Sequence, residues 1–113
     1  MNNEDTYIIS IWLVDPVGGE FVNWPENVED GCLSDARNLK IALMTSANSG
    51  PCLVDIGNHL PEVWIAHEQL ESAMRELEVA LSARDGEFRT SYEKMLKACQ
   101  FAHSVDTAGV YIG

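Results

Sequence analysis

Positive charge is what this sequence has least of. Seven lysines and arginines stand against eighteen aspartates and glutamates, a net charge of −11 over 113 residues. A surface of that sign repels phosphate, which disfavours direct binding of nucleic acid and docking on anionic lipid. Cysteine is also sparse. Cys32, Cys52 and Cys99 are odd in number and share no short repeated spacing. They form neither a disulfide framework nor the paired ligands of a zinc site, and free thiols that pack as small hydrophobes are expected.

Long apolar runs are missing as well. The longest, Tyr7 to Val14, is too short to cross a bilayer, and the first five residues carry acid where an export signal needs base. A cytoplasmic chain is expected, with no membrane partner. The glycines do not form a phosphate-cradling loop ahead of a helix, and no internal repeat, linker or low-complexity tract divides the chain. One domain spanning residues 1–113 follows from the length, with an apolar content of 46% supplying an ordinary core.

The elements follow from periodicity. Thr6 to Val14 is β-branched and aromatic on both parities, the pattern of a central strand covered on both faces. Asp15-Pro16-Val17-Gly18-Gly19 turns the chain, and Glu20 to Trp24 returns as the partner strand. Ser34 or Asp35 can cap a helix from about Ala36 to Ala47, with Ala36, Leu39, Leu43 and Ala47 on one stripe. Leu39 to Met44 is also a short apolar run that a strand would accept; the helix is preferred. Cys52 to Ile56 reads as a strand closed by Gly57-Asn58.

From Leu60 the period changes. Pro61 suits a first helical turn, and Val63, Ala66, Leu70, Ala73, Met74, Leu77, Ala80 and Leu81 form a helical stripe ending at Arg84-Asp85-Gly86. Asp85 or Thr90 (with Glu93 completing a capping box) starts a second helix, with Phe88, Tyr92, Met95, Leu96, Cys99 and Ala102 inward. The short connection makes the pair antiparallel. Val110 to Ile112 is a last strand. The order β-β-α-β-α-α-β predicts an α+β fold: a sheet of about four strands, mixed or antiparallel, with the C-terminal helix pair packed on it.

Catalytic motifs do not stand out. His67 and Glu71 share a helical face, but no second histidine or third ligand follows, and His67 borders the apolar stripe. Cys99 and His103 are one turn apart, yet a catalytic thiolate needs an open, electropositive setting that an acidic chain does not offer. No catalytic residue, metal or cofactor is assigned, and the chain is expected not to be an enzyme. A small hydrolase built on paired carboxylates is the weakest alternative.

The distribution of acid is informative. Residues 1–74 hold twelve carboxylates against Arg37 and Lys40, a balance of −10, while residues 75–113 hold six against five bases, a balance of −1. Asn23 to Gly31 places Trp24 before Glu26, Glu29 and Asp30 in a proline-stiffened loop with no base. Trp is favoured as an interface anchor, and exposed acids steer a basic partner. Asp35, and Glu68 and Glu71 on the long helix, extend the same negative surface; Trp12 and Trp64 are assigned to the core. These features predict an inhibitor or immunity-type protein that occludes the basic surface of a nuclease or other nucleic-acid-handling protein, its carboxylates mimicking phosphates. The alternative is a structural or regulatory subunit that pairs as a homodimer, with the acid serving solubility.

Overall fold

The structure is a computed structural model that describes residues 6–13, 19, 21–22, 32–34, 36–45, 50–60, 62–83, 89–105 and 107–113. Its strands are β1 (Thr6–Leu13), β2 (Phe21–Val22), β3 (Cys32–Ser34), β4 (Val63–Ile65) and β5 (Ala108–Ile112). Its described helices are α1 (Ala36–Thr45), α2 (Pro51–His59), α3 (Leu70–Ala83) and α4 (Arg89–His103), with a 3-10 turn, His67–Gln69, leading into α3. The α+β class is as expected. The strand count and order are not: the described chain runs β-β-β-α-α-β-α-α-β.

Every described strand pairing is antiparallel. β5 lies between β1 and β4, and this three-stranded centre carries the two short strands β2 and β3 on the other edge of β1. β2 meets the C-terminal half of β1 (Ile11 opposite Val22) and β3 its N-terminal half (Tyr7 opposite Leu33). The hairpin of β1 with β2 and the return of the C-terminus to the sheet are as the sequence predicts. β3 falls where only a loop and a helix cap were expected.

The helices cover one face. Ile9 and Ile11 of β1, Val63 and Ile65 of β4, and Ala108, Val110 and Ile112 of β5 join Leu39, Leu43, Leu53, Leu70, Leu77, Tyr92 and Met95 in one buried cluster. Alternate residues of a strand point to opposite sides. Ile8, Ser10, Trp12, Trp64 and Tyr111 therefore share the other side, where Ile8 is 45% exposed and the others are half-buried. The expectation of a strand covered on both faces is thus corrected, and so is the placement of Trp12 and Trp64 in the core.

α1 forms over Leu39 to Met44, where strand and helix competed, because Leu39 and Leu43 bury one turn apart. Residues 52–56, read as a strand, are helical instead. Leu53, Ile56, Gly57 and Leu60 are buried at helical spacing, and Pro51 occupies the first turn. Gly57 looked like a terminator but sits inside the helix because α1 crosses there. A Cβ on it would lie 2.7 Å from Met44 Cγ and 3.2 Å from the Lys40 carbonyl oxygen.

The start of the long helix also moves. Val63 and Ile65 alternate with Trp64 in β4, so the helical stripe begins at Leu70 and runs through Ala73, Leu77 and Ala80. Gln69 closes the entry: its N–H donates to the Ala66 carbonyl and its side-chain oxygen accepts from the Ala66 N–H. α4 begins at Arg89, which places Thr90 within its first turn rather than before it. Glu93 pairs with Arg89 at 3.2 Å. α3 and α4 pack along each other as an antiparallel pair. The Arg89 guanidinium donates to the Leu81 carbonyl at one end, and His67 stacks on His103 at the other. Phe88 and Asp85 lie outside the described residues. No helix among the described residues is long and apolar enough to cross a membrane.

Candidate functional site

Two charged side chains from distant parts of the chain hold α2 in place. At its N-terminus the Glu76 carboxylate of α3 accepts the backbone N–H groups of Cys52 (3.1 Å) and Leu53 (2.8 Å). Those donors have no partner within their own helix, and a carboxylate there also complements the helix dipole. Gly50 lets it approach, since a Cβ at that residue would lie 2.6 Å from the Glu76 carboxyl carbon. At the C-terminus the Lys40 ammonium of α1 donates to the carbonyls of Gly57 (2.5 Å) and Leu60 (2.9 Å). Glu76 is half-buried and structural.

This clamp shapes a groove of about 460 Å³ between α2 and the start of α3, lined by Cys52, Asp55, Glu68, Gln69, Ser72 and Glu76. No basic side chain among the described residues lines it. Asp55 and Glu68 are exposed at its rim, and Asp55 lies 3.4 Å from His59 one turn on. The Cys52 thiol is pushed up from its ordinary range, first by burial and then by the Glu76 and Asp55 carboxylates. It therefore stays protonated at neutral pH, which does not suit a thiolate nucleophile.

Of the residues singled out by sequence, Glu68 lines this groove. Glu68 belongs to the 3-10 turn, whereas Glu71 stands in the first turn of α3, exposed, and reaches Arg75 at 4.0 Å. Trp24, Glu26, Glu29, Asp30 and Asp35 lie outside the described residues. Sequence reasoning missed Asp55 and Glu76. Asp55 is spaced one helical turn from Cys52 and His59, a signal hidden once the segment is read as a strand.

Cys99 is buried, and burial, with a smaller contribution from Cys52, pushes its thiol up to about 12. The His67 ring donates from Nδ1 to the Ala108 carbonyl at 2.8 Å and stacks on His103, with ring centroids 5.7 Å apart. Among the described residues no group of three or more His, Cys, Asp or Glu side chains is arranged to hold a metal ion. Compared with protein-family models, curated proteins and solved structures, the chain has no match in any of the three.

Proposed function

We propose that this chain is an acidic binding protein that covers a basic functional surface of another protein, as an inhibitor or immunity-type protein does. The surface of a nuclease or other nucleic-acid-handling protein fits best, because such surfaces are basic by necessity and carboxylates can occupy the places of phosphates. The observation that carries the reading is the groove between α2 and α3: Asp55 and Glu68 converge on it, Glu76 backs it, and no lysine or arginine among the described residues lines it. A net charge of −11 adds long-range attraction, so association would be steered and would weaken with salt. Glu26, Glu29, Asp30 and Asp35 belong to the same acid-rich stretch of sequence and are proposed to widen the contact, with Trp24 as its anchor.

The test is affinity capture on the immobilised protein at low salt, followed by assay of the captured basic protein for nucleic-acid cleavage or binding. Reversing Asp55 and Glu68 to lysine should lower affinity on the order of tenfold, the range expected for exposed charges in a steered contact. Reversing Glu26, Glu29 and Asp30 should do at least as much. Capture that survives both sets of reversals, or that does not respond to salt, would remove the reading.

A further inference from the structure

The face of the sheet turned away from the helices is built from residues that a purely structural face would not need. Trp64 stands directly opposite Tyr111, which stands opposite Ser10, while Trp12 stands opposite Gly109. The benzo ring of Trp64 is laid over Gly109. A Cβ on that glycine would sit 2.5 Å from Trp64 Cη2 and 2.6 Å from Cζ2, so only glycine lets the indole lie there. Tyr111 is fixed in turn, its hydroxyl donating to Glu62 Oε2 at 2.6 Å, which raises the Tyr111 pKa and leaves the Glu62 carboxylate at the edge of the rings. Trp12 is oriented by its indole N–H, which donates to Ser10 Oγ at 3.0 Å. Ile8 completes the row and is 45% exposed. None of Ile8, Trp12, Trp64 or Tyr111 packs against the buried cluster.

We propose that this face is a second docking surface, distinct from the groove between α2 and α3, and that its occupant is an arginine-bearing segment of a protein partner. Charge selects the occupant. Among the described residues the face presents Glu62 and no base, in a chain of net charge −11. A nucleic acid could stack its bases on the rings, but its phosphates need basic side chains alongside, and the face supplies none among the described residues. A second copy would bring −11 against −11. A guanidinium meets both features at once: its plane stacks on an indole, and its N–H groups reach a neighbouring carboxylate.

Hexa-arginine is the probe, titrated at low salt while the indole N–H and backbone amide resonances are followed. The Trp64 indole and the Tyr111 amide should shift. Ile8 supplies a test of sign at an exposed position that does not disturb the core. Ile8→Lys should weaken binding about threefold and Ile8→Glu should tighten it by about as much, the range of one exposed charge pair. Trp64→Phe should weaken it about two- to fivefold, as the better cation–π ring is lost. Asp55→Asn with Glu68→Gln should leave the shifts at Trp64 and Tyr111 in place, which separates this surface from the groove. Shifts confined to the groove would overturn the proposal. So would Ile8→Lys and Ile8→Glu acting in the same direction, since an apolar contact alone would produce that. A dimer in sedimentation that both Ile8 variants abolish, or a short oligothymidylate that shifts the Trp64 indole, would replace the occupant and end the proposal equally.

Discussion

The two sides of β1 carry nearly the same kinds of residue and have opposite fates. Ile9 and Ile11 are 3% and 0% exposed beneath the helices, whereas Ile8, next to them in sequence, is 45% exposed. On the covered side, apolar side chains from four strands and all four described helices meet in one cluster. On the other side, indole, phenol and isoleucine lie on the sheet with no described helix over them. Hydrophobic character alone therefore does not distinguish a core residue from a surface one here; the layer packed against it does.

The comparison can be broken most directly with a pair of truncations. Ile11→Ala should cost about 2–5 kcal/mol, because it opens a cavity that packed neighbours cannot fill. Ile8→Ala should stay within about 1 kcal/mol, the range of exposed positions. Urea midpoints measured for both variants decide it, and equal costs would show that the second face is also core.

Next in size is the clamp that holds α2 on the covered side. Glu76→Ala leaves two backbone N–H groups of α2 without their acceptor and should cost about 1–3 kcal/mol. Glu76→Gln, which keeps one acceptor oxygen, should cost less. Lys40→Met at the other end should cost about 1 kcal/mol. Amide exchange at Cys52 and Leu53 should quicken in both Glu76 variants and not in Lys40→Met, which would assign each loss to its own end of the helix.

The smallest effect at neutral pH is at Cys99. Its thiol has an ordinary value of 9.0 and is held at about 12 in the folded chain by burial. Above pH 9 the unfolded chain releases this proton while the folded one retains it, so the folded state binds more protons and loses stability as pH rises from 9 towards 12. Cys99→Ala should flatten that part of the stability profile. A thiol reagent should likewise modify Cys99 only on unfolding. Rapid labelling of the native protein would place this residue on an accessible side.

Much of the architecture is legible from local pattern. The antiparallel hairpin of β1 and β2, the helix over Ala36 to Thr45, the antiparallel pair of α3 and α4 and the final strand all follow from periodicity that stays within one element. The failures share a different cause. Cys52 to Ile56 satisfies strand and helix locally, and what makes it a helix is supplied by Lys40 and Glu76 at its two ends and by the crossing of α1 at Gly57. Val63-Trp64-Ile65 fits the start of a helical stripe until β5, far along the chain, offers it a partner. The candidate site divides in the same way. Glu68 and Glu71 were recognisable as exposed acids on a helix, whereas Asp55 and Glu76 join Glu68 only once α2 is folded against α3.

The sequence by itself determined the charge and its uneven spread, the α+β class and the faces of α1, α3 and α4, because these depend on composition and on spacing within a few turns. Tertiary structure alone decided that the described helices would all pack on one side of the sheet. It also decided that Glu76 would cap a helix instead of facing a partner, and that Trp64 would lie over Gly109. The physical reason is common to all three: each outcome is fixed by a contact between positions far apart in the chain, where one residue supplies the hydrogen bond, the carboxylate or the space that another lacks.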